Sequence, residues 1–499
     1  MTETLTHPPS DYLAGRFLPI EGDDVVSTNP AQPQQIVWQG APNLSHIDAA
    51  VDAARQALPQ WSRLSIDERV VALRRWQQVV RDNADRLAEL ITQEMGKTLA
   101  ESRFEAQAVA GKVDGTLDEI SVARVREYEV QVNETRAGHC RFKPHGVMAV
   151  IGPFNFPAHL ANGHFVPALL VGNTIVFKPS EKTPAVGQLL AELMHEADLP
   201  PGVFNVVQGG ADIASSLVEH DGIDGILFTG SWTVGRKILQ ANLDRPGRVI
   251  ALEMGGNNPA VVMDDCHLKQ AVVECVRAAF ATTGQRCTCT RRIIVQRSIA
   301  KRFIPAFCKA ASTVLVGPGD STEPVFMGPL ISDAAVQDVL DFQRDLASAG
   351  GQVLVEATAM DRAGHFVTSG VVQVDRFNLD RDCEVFGPLA QITVVDDLDH
   401  AIEQANATRY GLAASIFTTN DQTYDEFFDR VNAGCINRNT GTAGASGKLP
   451  FGGLGHSGNH RPAAAFALDY CAYPVANMVE TSADVAVPGG VHWDDSWVS

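Results

Sequence analysis

Short runs of β-branched and aliphatic residues alternate with helical segments in the middle of this chain, and this alternation limits the possible folds most strongly. Five runs lie between Val147 and Glu253, and they read VMAVI, TIVFK, VFNVV, GILFT and RVIAL. Helical spacing of apolar residues separates them, as from Val186 to Leu199. Parallel strands need a long crossover connection, which is usually a helix. The pattern therefore predicts βαβ units in a parallel sheet of the nucleotide-binding type.

A second alternation of the same kind begins at Ala260 and continues to about Asn437. Its predicted strands lie near Ile293, Ile392 and Ser415. We expect this part of the chain to form another α/β domain.

The segments on either side have different patterns. From His46 to Ala123 apolar residues recur at helical spacing, which predicts an all-helical opening. From Val125 to Pro144 apolar and polar residues alternate, which predicts an exposed hairpin, and Tyr470 to Val479 is strand-like. Because another subunit commonly covers exposed strand edges, we expect a homo-oligomer, either a homodimer or a homotetramer.

Composition and charge exclude several classes of protein. The 499 residues are 45% apolar and carry a formal net charge of -19, so the chain would repel nucleic acids and anionic lipid surfaces. No window approaches the roughly 20 apolar residues that span a bilayer, and the N-terminal residues do not form a signal peptide, so we expect a cytoplasmic protein. Nine cysteines without a CxxC pair are typical of reduced thiols rather than disulfides or a metal site.

The motif GQRCTCTR, Gly284 to Arg291, places Cys287 between a long helical pattern and a predicted strand. Substrate can reach a cysteine at such a junction, and Arg286 with nearby backbone N–H groups would favour the nucleophilic thiolate. Cys289 is a competitor, because two cysteines separated by one residue on an extended segment would share a face. A metal or redox role for this pair, or an inert buried thiol, is also compatible with the spacing.

Two further motifs follow predicted strands. LEMGGNNP, Leu252 to Pro259, places the carboxylate of Glu253 at a strand end, where it would serve as a general base for water. GPFNFPAHL, Gly152 to Leu160, holds Asn155 between prolines and aromatic residues, where its side-chain N–H would stabilise an oxyanion. A turn with a solvated glutamate and a rigid surface turn are the alternative interpretations.

Two more turns have features of a nucleotide site. In FTGSWTVG, Phe228 to Gly235, the residues Gly230 and Ser231 precede a predicted helix whose N-terminus would attract phosphate. In FKPSEKTP, Lys178 and Glu181 follow a strand, and a carboxylate there would accept hydrogen bonds from ribose hydroxyls. Neither turn matches GxGxxG, and each is also compatible with an ordinary loop.

Two common enzyme classes do not fit. MGKT, Met95 to Thr98, ends like a P-loop, but Ile91 occupies the position that requires glycine. The run GASGK near Ser446 lacks the GxSxG spacing of serine hydrolases.

Taken together and in order, these motifs resemble the aldehyde dehydrogenase superfamily. The resemblance rests on FNFP, KPSE, FTGSWTVG, LEMGG, GQRC, EVFGP at Glu384 to Pro388, and LPFGGLGHSG at Leu449 to Gly458, and it covers nearly the whole chain. Phe154 and Met254 depart mildly from the family's usual Trp and Leu.

The resemblance implies a role for each matching residue. Cys287 would attack the aldehyde, Asn155 and the Cys287 backbone N–H would bind the oxyanion, and Glu253 would activate the water that hydrolyses the thioester. The cofactor would be NAD rather than NADP, because a free, unpaired Glu181 would repel the 2′-phosphate of NADP. The implied NAD contacts are Lys178, Glu181, Gly230, Ser231, Trp232, Thr233, Val234, Gly235, Glu384 and Phe386. No metal is implied.

The resemblance also implies the division of the chain. A Rossmann-like NAD-binding domain would comprise residues 1–124 and 147–256, and an α/β catalytic domain residues 257–437. Residues 125–146 and 470–490 would form a small β oligomerisation element, and residues 438–469 would return to the cofactor domain and line a substrate tunnel.

The stretch SGNHRPAAAFALDYCAYP, Ser457 to Pro474, resembles a narrower group of the family that oxidises a succinylated semialdehyde in arginine breakdown. Such an anionic substrate needs cationic partners in so acidic a chain. The candidates are Arg438, Lys448, His460 and Arg461. The alternative interpretation is that these residues are solvated surface charges without a binding role. A dehydrogenase for another semialdehyde, a CoA-acylating relative and a catalytically silent binding protein stay open as alternatives, although Glu253 disfavours CoA acylation.

Overall fold

The computed structural model describes residues 4–499, in which helices separate and cover several β-sheets. The α-helices are α1 (Ser45–Arg63), α2 (Ile66–Asp82), α3 (Ala84–Met95), α4 (Leu99–Leu117), α5 (Glu119–Val122), α6 (His159–Leu170), α7 (Pro184–Glu196), α8 (Ala211–Glu219), α9 (Trp232–Ala241), α10 (Leu268–Phe280), α11 (Arg297–Ser312), α12 (Asp333–Ser348), α13 (Leu398–Asn406) and α14 (Asp421–Arg430). Within this range no helix is long and apolar enough to cross a membrane.

The strands of the described chain vary from two to nine residues. They are β1 (Ser10–Leu13), β2 (Arg16–Pro19), β3 (Val25–Asn29), β4 (Gln32–Gly40), β5 (Tyr128–Gln131), β6 (Arg136–Pro144), β7 (Val147–Ile151), β8 (Thr174–Lys178), β9 (Phe204–Val206), β10 (Gly225–Gly230), β11 (Val249–Met254), β12 (Asn258–Val262), β13 (Thr290–Gln296), β14 (Gln352–Val355), β15 (Gly370–Gln373), β16 (Leu389–Val395), β17 (Tyr410–Gly411), β18 (Ala413–Phe417), β19 (Cys435–Arg438), β20 (Pro450–Phe451), β21 (Leu454–Gly455), β22 (Ala463–Ala464) and β23 (Ala472–Glu480).

The first large sheet has the strand order β11-β10-β7-β8-β9-β1-β2. Strands β7 to β11 are parallel and correspond to the five predicted runs, so the α/β prediction is confirmed for this part of the chain. The chain moves from β7 outward to β9 and then returns to β7 with β10. This reversal opens a crevice at the carboxyl ends of β7 and β10, which is where open α/β sheets bind ligands.

Two N-terminal strands extend this sheet, and the sequence analysis did not predict them. Strands β1 and β2 form an antiparallel pair, and β1 is also antiparallel to β9. Each has only four residues, and β1 is buried throughout. So short a buried segment has no alternation of apolar and polar residues by which it can be recognised.

The second large sheet has the order β14-β15-β16-β13-β12-β18-β19. Its pairs are parallel except β14 with β15. The predicted strands near Ile293, Ile392 and Ser415 are β13, β16 and β18, so the second α/β unit is confirmed. Only Gly255, Gly256 and Asn257 connect β11 of the first sheet to β12 of the second. The carboxyl edge of one sheet therefore faces the amino-terminal edge of the other.

The predicted helical opening is present as α1 to α5, and it packs on the first sheet. Helix α2 begins at a capping box in which Ser65 and Glu68 satisfy each other's backbone N–H groups. Trp61 and Trp76 are fully buried in the core beneath the sheet. The indole N–H of Trp76 donates to Asn162 of α6 at 3.0 Å, so the helical layer is fixed to the helix that follows β7.

A third sheet of order β23-β6-β5 stands apart from the other two. The hairpin β5–β6 occupies the segment predicted as an exposed hairpin, and β23 pairs with β6 from Ala472 opposite Pro144 to Glu480 opposite Arg136. Tyr128 and Val130 of the edge strand β5 are more than half exposed. The division into domains and the oligomerisation role of this sheet stay predictions.

Candidate active site

Cys287 lies in a turn between α10 and β13 whose backbone is held in an unusual conformation. Thr282 and Thr283 adopt left-handed φ values of 53° and 55°, which are strained for β-branched residues. Gly284 follows with φ +72°, and a Cβ there would lie 2.1 Å from the carbonyl oxygen of Gly387. Only glycine permits this approach, so the turn packs directly on the loop that contains Glu384.

The turn distinguishes the two cysteines, which the sequence analysis placed on one face of an extended segment. That expectation was wrong, because residues 286–288 form a turn and β13 begins only at Thr290. Cys287 keeps some solvent exposure, whereas Cys289 is fully buried with its sulfur 3.9 Å from the Ala281 carbonyl oxygen. Of the two cysteines, only Cys287 therefore keeps contact with solvent.

Contacts from the start of β12 fix the backbone of this turn. The side-chain amide of Asn258 donates to the carbonyl oxygens of Cys287 at 2.7 Å and Cys289 at 2.9 Å. A Cβ on Gly256 would lie 2.9 Å from the same Cys287 oxygen. Gly256 and Asn258 of the motif LEMGGNNP therefore allow the segment that follows Glu253 to pack closely against the backbone of Cys287.

The charges around the sulfur differ from those expected. Arg286 does not face the sulfur, because its guanidinium donates to Glu101 at 3.0 Å and to the Thr282 hydroxyl at 2.7 Å. Burial raises the pKa of the Cys287 thiol, the carboxylates of Glu384 and Glu253 raise it further, and Arg291 is the cation that lowers it. The expectation that Arg286 favours the thiolate was wrong, because an acidic partner holds its side chain elsewhere.

Asn155 lies in the loop after β7, at the crevice, and is 4% exposed. Its side-chain amide donates to the carbonyl oxygen of Gln285 at 2.9 Å, and therefore contacts the turn of Cys287 directly. A primary amide has two N–H donors, so the second one stays available to an oxyanion.

Helix α4 joins the Asn155 loop to the Cys287 turn through two carboxylates. Glu101 accepts hydrogen bonds from the Thr282 backbone N–H at 2.9 Å, the Thr282 hydroxyl and Arg286. Glu105, one helical turn later, accepts from the backbone N–H groups of Ala158 and His159, both at 3.0 Å. One rigid helix therefore sets the distance between the two loops.

A buried ion pair accompanies this connection. Lys97 donates to Glu105 at 2.6 Å, and both side chains are completely buried. The Lys97 ammonium also lies 3.7 Å from the centroid of the Phe156 ring, next to Asn155 in sequence. Removing either charge would leave the other buried without a partner, which is strongly destabilising.

Glu253 is a buried residue of β11 and not the solvated turn residue of the alternative interpretation, with 6% of its surface exposed. Desolvation raises its pKa well above the usual range, and a hydrogen bond from the Ala463 backbone N–H opposes this only partly. Its Oε2 atom has no hydrogen-bond partner within residues 4–499. A buried carboxylate with a free oxygen and a raised pKa is suited to accept a proton.

Lys178 and Glu181 form an ion pair at the carboxyl end of β8. The Lys178 ammonium lies 3.2 Å from Glu181 Oε2, and Lys178 is buried while Glu181 is nearly half exposed. The expectation of an unpaired Glu181 was wrong. Discrimination against NADP therefore cannot be argued from an isolated negative charge at this position.

The predicted phosphate turn opens a helix as expected. Ser231 caps α9, and its hydroxyl accepts from the Val234 N–H at 3.4 Å. The Trp232 ring stacks on His456 with centroids 4.0 Å apart and planes 8° apart. This stack attaches the start of α9 to the segment between β21 and β22. Of the other predicted contacts, Gly230, Thr233 and Val234 lie at the surface around this helix start, and Gly235 is buried against Met254.

Glu384 and Phe386 lie beside the Cys287 turn. Glu384 accepts a hydrogen bond from the Gly256 N–H at 3.0 Å and pairs with Arg291 at 3.4 Å. Burial raises its pKa, which Arg291 opposes. The Phe386 ring packs edge to face on Phe154 with centroids 5.8 Å apart. The structure therefore brings Glu384 and Phe386, two of the predicted NAD contacts, close to the turn of Cys287.

The four basic candidates for substrate binding do not lie together. Arg438 is occupied, because its guanidinium pairs with Asp421 at 2.5 Å and donates to the Thr418 carbonyl oxygen. Lys448, His460 and Arg461 are exposed residues flanking the ladder β20–β22, whose Ala463 contacts Glu253. Arg461 donates to the His460 carbonyl oxygen and has no acidic partner within residues 4–499. We therefore remove Arg438 from the candidate site.

The sequence analysis missed several residues that build the site. They are Lys97, Glu101, Glu105, Asn258 and Arg291, and each acts through contacts with residues distant in the chain. The spacing of Glu101 and Glu105, four residues apart on a helix, was the one local signal available.

Residues 18–474 match the aldehyde dehydrogenase family. The chain is 42% identical over 470 residues to an N-succinylglutamate 5-semialdehyde dehydrogenase of Legionella pneumophila (strain Corby), covering 94% of each chain. PnpE of Pseudomonas sp. WBC-3, solved in complex with nicotinamide adenine dinucleotide, is similar in structure with a TM-score of 0.90, 30% identity and coverage of 96% of this chain and 99% of PnpE. An NADP-dependent enzyme of E. coli gives a TM-score of 0.89 at 30% identity, covering 95% of this chain and 98% of that chain.

Proposed function

The chain belongs to the aldehyde dehydrogenase family, and on this premise we propose that it oxidises N-succinyl-L-glutamate 5-semialdehyde to N-succinyl-L-glutamate with NAD, in arginine catabolism. One observation carries the chemistry. The amide of Asn155 contacts the turn of Cys287, while Glu253 is buried near the end of β11 with one oxygen that has no hydrogen-bond partner within residues 4–499. The choice of aldehyde is supported by the similar protein of Legionella pneumophila, whose name gives N-succinylglutamate 5-semialdehyde as its substrate.

The reaction begins when the Cys287 sulfur adds to the aldehyde carbon and the thiol proton leaves. Negative charge develops on the aldehyde oxygen, where the free N–H of Asn155 and the Cys287 backbone N–H donate hydrogen bonds. Loss of two electrons and the aldehyde hydrogen converts the adduct to a thioester. Glu253 then removes a proton from water, which attacks the thioester and releases the acid and the thiol.

The residues of the crevice fit NAD, whose chemistry when bound is to accept the two electrons and hydrogen of the oxidation. Lys178, Ser231 and Asn155 all follow the carboxyl ends of neighbouring parallel strands at the reversal of strand order. The N-terminus of α9 would favour the pyrophosphate, and the partly exposed carboxylate of Glu181 would accept hydrogen bonds from ribose hydroxyls. Glu384 and Phe386, which lie beside the Cys287 turn, would hold the nicotinamide half.

The substrate carries two carboxylates besides the aldehyde, and this protein has a net charge of -19. Local cations are therefore required to bind it. Lys448 and Arg461 flank the ladder β20–β22 and have no acidic partners within the described chain, so they are the proposed contacts together with His460, the exposed neighbour of Arg461 in sequence. Arg438 is excluded because Asp421 neutralises it.

Substrate comparison with the purified protein tests the proposal. We expect kcat/KM for the succinylated semialdehyde to exceed that for free glutamate semialdehyde by at least ~100-fold, about 2.7 kcal/mol, because each charge-assisted contact contributes roughly 1.5–3 kcal/mol. Arg461→Gln and Lys448→Gln should raise KM for the succinylated substrate and leave KM for a neutral aldehyde unchanged. Arg438→Gln is the matched control and should change neither.

Equal turnover of the two semialdehydes would contradict the substrate assignment and favour a dehydrogenase for another semialdehyde. Product formation that depends on added CoA would contradict the hydrolytic role of Glu253. Failure to form NADH with any aldehyde would indicate the catalytically silent protein.

We also propose that the enzyme is a cytoplasmic homo-oligomer. Its nine cysteines, all within the described part of the chain, form no disulfide, which is typical of a reducing compartment. The outer strand β5 exposes Tyr128 and Val130, and β23 exposes Met478. An edge strand with such side chains is suited to pair with a second copy.

A further inference from the structure

Arg291 lies where three segments of the site meet, although the reaction scheme gives it no role. The segments are the connection after β11, the turn of Cys287 and the loop before β16. The guanidinium donates to one or more acceptors in each, and these are the carbonyl oxygens of Gly256 at 3.1 Å, Gly284 at 3.3 Å, Arg286 at 3.0 Å and Val385 at 2.6 Å, and Glu384 Oε1 at 3.4 Å.

The guanidinium is also a buried charge, since the Arg291 side chain is only 3% exposed. Within residues 4–499 its acidic partner is Glu384, which is 11% exposed. The Phe386 ring covers the guanidinium at 5.4 Å from its centroid.

We propose that Arg291 is a positioning residue, which holds the Cys287 turn against the Glu384 loop and offsets at the sulfur the negative charge of Glu384 and Glu253. For its link to aldehyde oxidation the inference rests on the proposed function. The claim about the sulfur itself concerns the enzyme without substrate.

Burial, Glu384, Glu253 and Cys289 raise the pKa of the Cys287 thiol, and Arg291, whose guanidinium is bonded to the same turn, lowers it. The neighbouring cation Arg286 is held by Glu101 on the other side of the turn. Removing Arg291 would therefore leave the sulfur among carboxylates without a compensating charge.

The geometry requires arginine and not merely a positive charge. The acceptors lie around a planar fork, and four of them are carbonyl oxygens contributed by the three segments. Lysine has a single compact ammonium group and cannot reach all of these acceptors at once. A lysine at this position would keep most of the charge and lose the connection between the loops.

The chain offers a matched control in the next residue. Arg292 is also buried, and its guanidinium donates to the carbonyl oxygens of Asn257, Gln404 and Ala405. Successive residues of a strand point to opposite faces, so Arg292 faces α13 rather than the Cys287 turn. Its loss removes a buried guanidinium and three hydrogen bonds to carbonyl oxygens outside the Cys287 turn.

The experiment measures the alkylation of Cys287 by iodoacetamide from pH 6 to 10 in the full-length enzyme without aldehyde. Mass spectrometry of the Cys287 peptide separates this thiol from the other eight cysteines. Wild type, Arg291→Met, Arg291→Lys and Arg292→Met are compared, with thermal melting to report folding. Steady-state kcat and KM are measured in parallel.

We expect Arg291→Met to slow alkylation at fixed pH below the thiol midpoint by ~10-fold or more, since a nearby opposite charge shifts a pKa by about 1–3 units. Arg291→Lys should keep the pH midpoint of alkylation within about half a pH unit of wild type. The same variant should lower kcat by ~10-fold or more with KM nearly unchanged, because a displaced Cys287 turn slows the chemical step. Arg292→Met should leave the alkylation profile unchanged.

An alkylation profile of Arg291→Met that coincides with wild type would overturn the inference, and so would an equal shift in Arg292→Met. If Arg291→Met does not fold, Arg291→Lys decides alone, because wild-type kcat in that variant excludes the positioning role. If the proposed function is wrong, the wild-type enzyme forms no NADH. This outcome differs from failure of the inference, because alkylation is measured without aldehyde and does not depend on turnover.

Discussion

The hydrogen-bond and ion-pair partners of each polar side chain in the site determine which side chains stay free to react. Cys287 and Arg286 are adjacent, yet Glu101 holds the arginine away from the sulfur. Glu181 is paired with Lys178, and Arg438 with Asp421. Glu253 differs from these residues because one of its oxygens has no partner within residues 4–499. The carboxylate with the unpartnered oxygen is the one that we propose as the general base.

Glu253→Gln should separate the two halves of the reaction. Acylation of Cys287 does not need the base, so we expect a first-turnover burst of NADH, followed by a steady state that is slower by ~10²–10⁴-fold, the usual contribution of a general base. Rapid-mixing absorbance at the NADH band measures both phases. A normal steady state in this variant would remove Glu253 from the mechanism.

The pH dependence of the same step follows from the raised pKa of Glu253. Only the carboxylate form accepts a proton, so thioester hydrolysis should increase as pH rises through a midpoint above the ordinary carboxyl range. In Glu253→Gln the residual hydrolysis should lose this midpoint. Single-turnover acid release across pH measures it, and an unchanged profile in the variant would assign the midpoint to another group.

Among the secondary-structure elements, α4 has the largest influence on the site. Its residues Glu101 and Glu105 lie on one face and hold the Cys287 turn and the Asn155 loop. The Thr282 and Thr283 backbone is strained, so it persists only while its contacts restrain it. The helix therefore positions the Cys287 turn and the Asn155 loop, although none of its residues is proposed to contact the substrate.

Glu101→Gln should reduce turnover more than stability. An amide has a single acceptor oxygen and no charge for Arg286, so we expect the Cys287 turn to relax and kcat to fall by about 10- to 100-fold with KM little changed. Asp114→Asn is the control, since it removes a carboxylate from the same helix that pairs with Arg81 at the surface. Steady-state kinetics and thermal melting measure the two effects. Equal kcat losses in both variants would contradict a positioning role.

At the scale of the whole molecule, the site depends on how the two large sheets are connected. Three residues after β11 carry the chain from one sheet to the other, and they bring Glu253 close to the Cys287 turn. The third sheet lies outside this arrangement and exposes apolar side chains on an edge strand. Assembly is therefore expected to involve that sheet.

The double substitution Tyr128→Lys with Val130→Lys should weaken assembly. Two charges on an edge strand oppose pairing with another copy, so sedimentation velocity should show a shift toward a smaller species. Val353→Lys is the control, because Val353 is a partly exposed residue of β14 at the edge of the second sheet. An unchanged sedimentation coefficient for the double variant would place the interface elsewhere.

The sequence by itself determined the two α/β units and the order of the motifs. The alternation of apolar runs with segments of helical spacing depends only on neighbouring residues, so it can be recognised in the sequence. The turn FTGSWTVG likewise predicted a helix start at Ser231, which the structure has. Strands β1 and β2 were missed because four residues are too few for a period.

Only the tertiary structure decided which cation faces Cys287, which cysteine is accessible, and which charges are already neutralised. Arg286 and Arg291 are equally plausible in the linear motif, and Glu101 is 185 residues from the arginine that it holds. Hydrogen bonds and ion pairs act over a few ångströms and are indifferent to sequence separation. The partner of a polar side chain is therefore set by the packing of distant elements, and no local pattern records it.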